Sequence, residues 1–70
     1  MVAIFRSSND THRFYYALRK EGVSCRIIST PVNVARSCGI SVSFNTRDVM
    51  TAEKVLKIGK YYSFIRFYNV

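Results

Sequence analysis

The chain holds one proline and three glycines, and all four stand where the hydrophobic period changes. Glycine reaches left-handed backbone that other residues avoid, while proline lacks an N–H and restricts the residue before it, so neither extends a helix or a central strand. Gly22, Pro31, Gly39 and Gly59 therefore cut the 70 residues into short runs, each long enough for one or two elements. Apolar residues recur at helical spacing ahead of Gly22 and Gly59, and elsewhere they alternate or run together as strands do.

Residues 1–5 mix Val, Ile and Phe in a run that fits a largely buried first strand. Ser7, Ser8, Asn9, Asp10 and Thr11 each offer a side-chain oxygen that can cap a helix start. Phe14, Ala17 and Leu18 fall at i, i+3 and i+4, predicting an amphipathic helix over about residues 10–21 with Gly22 as its left-handed stop. Val23, Cys25 and Ile27 alternate with polar neighbours as a second strand that Pro31 ends. Ile40, Val42 and Phe44 alternate with Ser41 and Ser43, predicting a third strand with one apolar and one polar face. Asn45 or Thr46 caps a second helix carrying Val49, Ala52 and Leu56 as its stripe, with a Glu53–Lys57 pair and Gly59 at its end. Residues 61–68 hold half of the chain's ten aromatics in a strongly β-prone last strand. The order βαββαβ predicts an α+β, ferredoxin-like split βαβ fold: an antiparallel four-stranded sheet with two helices on one face, as a single domain over residues 1–70.

An apolar fraction of 49% with 21% charged residues predicts a folded core rather than disorder. No apolar run approaches the roughly 20 residues of a membrane-spanning helix, and the first residues lack the basic and apolar regions of a secretory signal, so the expected location is cytoplasmic, with no membrane partner. Cys25 and Cys38 are too few for a disulfide scaffold and have no spacing or histidine set that reads as a metal site, and no cofactor is implied. Cys25 shares its strand face with Val23 and Ile27 and reads as a small buried hydrophobe. A net charge of +7 suits an anionic partner, although charge also serves solubility.

Residues 30–39 form a connection longer than two antiparallel strands require, and such surplus loops are candidate functional elements. A carrier or nucleophilic cysteine works as a thiolate, so it needs access and stabilising positive charge or N–H donors. Cys38 has Arg36 two residues away, Ser37 as a hydrogen-bond donor and Gly39 leaving its approach uncrowded. A helical turn over residues 33–37 would put Cys38 at its C-terminal end, where the dipole opposes an anion, so activation would rest on Arg36. The competing reading is a thiol that merely starts the third strand.

The stretch from the first helix through the third strand, with Ser7-Ser8 before the helix, Thr30-Pro31 after the second strand and Ser37-Cys38-Gly39-Ile40 leading into the third, resembles the small bacterial selenium/sulfur carrier-like family. That family's pattern is a Pro-Arg pair, a serine-rich turn and Cys-Gly before an apolar strand. Pro31, Ser37, Cys38 and Gly39 match it, whereas Val32 stands for the usual arginine and Ala35 and Arg36 for serines. The resemblance implies that Cys38 carries sulfur or selenium as a persulfide or selenosulfide, stabilised by Arg36, Ser37 and Gly39 in a loop shaped by Pro31. The implied partner is an acidic protein that donates or accepts sulfur or selenium.

The alternative is a small basic nucleic-acid-binding or protein-interaction module without thiol chemistry. Residues 59–67 combine basic and aromatic residues as RNA-recognition motifs do, but they lie on the fourth strand, an edge strand in the expected order, where that motif belongs on the third. The apolar last strand is instead the candidate surface for a homodimer. A conventional enzyme finds little support, since His12 is the lone histidine on a helix start and Asp10, Glu21, Asp48 and Glu53 are scattered.

Overall fold

A computed structural model describes residues 1–30 and 39–69. The elements are β1 (Val2–Phe5), α1 (Ser8–Lys20), β2 (Cys25–Ser29), β3 (Ile40–Phe44), a short 3-10 turn (Thr46–Asp48), α2 (Val49–Gly59) and β4 (Phe64–Tyr68). The strands form one sheet in the order β2-β3-β1-β4, each neighbouring pair antiparallel. This is the α+β, ferredoxin-like arrangement that the periodicities predict.

The alternation of each strand sorts its residues between two faces. Ala3, Phe5, Val42 and Phe44 join Phe14 and Leu18 of α1 and Ala52 and Val55 of α2 in the main core. Phe5 and Phe14 lie 5.1 Å apart by ring centroid, and Tyr61 sits 5.6 Å from Phe5 and edge-on to Phe14 at 5.5 Å. Val2 and Ile4 point the other way and pack with Ile28 and Tyr68. Ser41 shares that second face, yet it is fully buried and its hydroxyl pairs with that of Thr30. The polar face expected of β3 is thus not simply a wet face, because Ser41 meets a hydroxyl from the neighbouring strand end.

Local chemistry sets the element ends. Ser7 is the cap of α1, its Oγ accepting from the Asp10 N–H at 3.4 Å, so the helix begins two residues before the position that its apolar stripe marks. Gly22, at φ +81°, closes it: the Val23 N–H reaches the Leu18 carbonyl at 3.0 Å and the Gly22 N–H that of Arg19 at 3.1 Å, the two bonds of a Schellman motif. That bond holds Val23 outside β2. Asn45 caps the 3-10 turn by accepting from the Arg47 N–H at 3.1 Å. The ion pair on α2 is Lys54 with Glu21, at 3.9 Å, among the described residues, rather than the expected Glu53 with Lys57.

At the end of α2 the left-handed residue is Lys60, φ 51°, not Gly59. Gly59 is required for another reason, since a Cβ there would collide with the ring of Tyr61. Tyr61 turns inward against Phe5 and Phe14, which delays β4 until Phe64. The β4 ladder skips Ile65 opposite the Ile4–Phe5 step, a bulge on the edge strand. Gly39 takes no left-handed angle, and among the described residues nothing lies within 4 Å of where its Cβ would be.

These ends give opposite expectations for adjacent positions. Gly59→Ala overpacks the Tyr61 ring and should lower stability by about 1–3 kcal/mol. Lys60→Gly relieves left-handed strain and should raise it by up to about 1 kcal/mol. Urea unfolding of both variants checks the sign of each.

Candidate functional site

β1 and β2 run parallel, and β3 and β4 run against them. The ends of β1 and β2 and the starts of β3 and β4 therefore share one edge of the sheet. The start of α1, the end of α2 and both ends of the 31–38 connection meet there. Pro31, Arg36, Ser37 and Cys38, expected from sequence as loop-shaping, thiolate-stabilising and carrier residues, lie outside the described residues; Gly39 is described and exposed.

The two ends of that connection are held together. The Thr30 N–H donates to the Gly39 carbonyl at 3.2 Å, and the buried Thr30 and Ser41 hydroxyls pair one step inward. Thr11, fully buried in α1, uses one hydroxyl on two carbonyls, Ser7 at 3.1 Å and Ile40 at 3.5 Å. The beginning of β3 is thereby tied to the first turn of α1. Helix first turns present N–H groups without intrahelical acceptors and the positive end of the dipole.

A second polar network locks the same edge from the other side. Asp10 Oδ2 accepts from the Ser63 hydroxyl at 2.7 Å and the Ser63 N–H at 3.3 Å, while the Ser7 N–H donates to the Ser63 hydroxyl oxygen at 3.2 Å. Arg13 donates to Asp10 Oδ1 at 3.1 Å and to the Gly59 carbonyl at 2.9 Å, with its guanidinium 4.6 Å from the Tyr61 ring centre. The Ser63 hydroxyl, its N–H and Arg13 hold the Asp10 carboxyl below the usual carboxylate range, against the opposing effect of burial. One arginine and one aspartate thus join α1, the end of α2 and the entry to β4.

The described cysteine is at the opposite edge. Cys25 is half-buried at the start of β2, its thiol donating to the Tyr15 carbonyl at 3.6 Å. Burial pushes its pKa up, and the nearby Arg19 offsets this only in part. A thiol so placed stays protonated at neutral pH and reacts slowly. His12 is exposed and bonded through Nδ1 to the Ser8 carbonyl at 2.9 Å. Among the described residues, no three His, Cys, Asp or Glu side chains gather as a metal site, and no helix is long and apolar enough to cross a membrane.

Everything from β1 to Ser63 falls within the match to one family model: residues 1–63 fit "Putative Se/S carrier protein-like". The chain belongs to that family. No curated protein and no solved structure matches it. The family resemblance read from Ser37-Cys38-Gly39-Ile40 thus holds across nine-tenths of the chain's length, and in sequence its cysteine stands two residues before Ile40, the helix-tied start of β3. The Asp10–Ser63 lock and the Thr30–Ser41 pair were not expected from sequence. Their signal was faint: a serine at a strand's polar position looks the same whether it meets water or a threonine.

Two measurements follow. The lowered pKa of Asp10 means that its contribution to stability is present above the unfolded-state value and lost as pH falls through the folded one. Asp10→Asn should lower the urea midpoint at pH 7, and between about pH 4 and 2 it should lose less stability than the parent. In the Cys38→Ser chain, Cys25 should alkylate with iodoacetamide more slowly than free cysteine at neutral pH and accelerate only at alkaline pH.

Proposed function

We propose that the protein carries sulfane sulfur, or selenium in its place, on Cys38 and passes it to a partner protein. The thiolate of Cys38 attacks the outer sulfur of a donor persulfide; the new S–S bond forms on Cys38, the donor's S–S bond breaks, and the donor leaves as a thiolate. Sulfur moves at the zero-valent level, so no external oxidant or reductant enters. Arg36 stabilises the thiolate and the bound persulfide, and Ser37 with the Gly39 N–H donates hydrogen bonds to it. The acceptor's thiolate repeats the exchange in reverse.

Family membership is the observation that carries this reading. Two features of the fold support the choice of Cys38 over Cys25. Cys25 is half-buried, engaged with a carbonyl and pushed toward its protonated form, all of which oppose thiolate chemistry. Gly39, the neighbour of Cys38, is exposed and joined through Ile40 to the first turn of α1, an electropositive region. An acidic donor or acceptor suits the net charge of +7.

A second reading, nucleic-acid binding, is favoured by one observation. All four carboxylates lie on or beside the helices and the 3-10 turn, whereas the sheet face away from them carries Arg26, Arg66 and Tyr68. The central Val2, Ile4 and Ser41 of that face are buried, however, where a base-stacking platform needs exposed aromatics.

Incubation with a persulfide donor followed by persulfide-selective labelling separates the readings. Cys38→Ser should abolish labelling, and Cys25→Ser should leave it near the parent level. Equal labelling of the two variants would contradict the carrier assignment, and tight, salt-sensitive binding of single-stranded RNA would favour the second reading.

A further inference from the structure

The outer side of the helix layer holds a surface that neither the core nor the thiol edge explains. Met50 and Ile58 of α2 are 80% and 72% exposed, large apolar side chains facing water. With Lys54 between them they stand at i, i+4 and i+8, within about 80° of one another around the helix. Ile58 separates two adjacent depressions. One runs along α2 past Met50 and Lys57, and the other lies between the helices on Ala17 and Val55, with Lys20 at its rim. Single exposed apolar residues are ordinary, but an aligned pair beside an apolar interhelical groove is the geometry that receives a docked helix.

Charge decides what kind of helix fits. Lys20, Lys54 and Lys57 border the two depressions, and of the carboxylates there Glu21 is paired with Lys54 at 3.9 Å, leaving Glu53. The surface therefore carries Met50 and Ile58 on either side of Lys54, whose charge is met by Glu21, with Lys20 and Lys57 at its margins. A second copy would bring one chain of charge +7 against another. Anionic lipid and nucleic acid favour an uninterrupted cationic surface, which Glu21 and Glu53 break.

We propose that this face docks an acidic amphipathic helix of a partner protein, with the partner's apolar stripe against Ile58 and Met50 and its carboxylates toward Lys20 and Lys57. That the partner is a sulfur donor or acceptor rests on the carrier reading; the docking geometry does not, and its test leaves Cys38 untouched. Failure of one is thus distinguishable from failure of the other.

The full chain, labelled for NMR, is titrated with a synthetic amphipathic peptide bearing Leu along one helical face and Glu on its flanks. Parallel titrations use the same peptide with Ser in place of Leu, phosphatidylglycerol vesicles and oligouridine. The Leu/Glu peptide should shift the Met50 and Ile58 methyl signals, and the Ser/Glu peptide should bind at least about tenfold more weakly. Ile58→Glu, at a position too exposed to threaten folding, should cost a similar factor with an unchanged circular dichroism spectrum, and Lys54→Glu with Lys57→Glu should weaken binding further. The proposal is overturned if the two peptides bind equally, if the shifts fall on the sheet face or nowhere, if vesicles or RNA shift these methyls and the peptide does not, or if they shift with protein concentration alone.

Discussion

The structure depends on the two-sided burial of β1. Val2, Ala3, Ile4 and Phe5 are each at most 1% exposed, so one four-residue strand supplies the centre of both hydrophobic clusters. Burial is worth roughly 25 cal/mol per Å² of apolar surface, and a chain of this size has little surface to spare for a second core. Phe5 gathers Phe14, Tyr61 and Phe64 around itself on the helix side, while Val2 and Ile4 meet Ile28 and Tyr68 on the other. A strand buried on both faces also fixes register, because a slip by one residue would exchange the two sets. The positions of β3 and β4, which pair with it on either side, follow from that constraint.

From this fixed centre the edge chemistry inherits its precision. Thr11 ties the start of β3 to α1, Thr30 and Ser41 join the strand ends that bound the 31–38 connection, and Asp10 with Arg13 fastens the last strand and α2 to the same helix. Each bond is modest alone, about 0.5–1.5 kcal/mol net for neutral pairs, but a buried hydroxyl left without its partner costs more than the bond contributes. The arrangement holds Gly39 next to a helix start while leaving it exposed. On the proposed carrier reading, an exposed and anchored Gly39 suits a neighbouring cysteine that has to meet a donor and an acceptor.

Much of the fold was legible because the periods were clean. The Ile40-Ser41-Val42-Ser43-Phe44 alternation and the Phe14, Ala17, Leu18 stripe left few choices, and Gly22 ended α1 where its left-handed angle was expected. Legibility failed where tertiary contacts overrode local signals. Gly59 ends α2 as its sequence position suggests, yet Lys60 takes the left-handed turn and the ring of Tyr61 is what excludes a side chain at residue 59. Ser41 looked solvent-facing and is buried against Thr30. For the site, the Cys-Gly unit identified the family correctly, while the tethers around it involve residues 11, 30, 41 and 63, whose spacing carries no local periodicity.

Whether Cys38 bears cargo separates a carrier from a binding module. Mass spectrometry of the protein purified without reductant, digested so that Cys25 and Cys38 fall in separate peptides, tests this most directly. The carrier assignment predicts the added mass of one sulfur or one selenium on the Cys38 peptide and none on the Cys25 peptide, reversed by dithiothreitol. A Cys38 peptide that stays bare after incubation with a persulfide donor would contradict it.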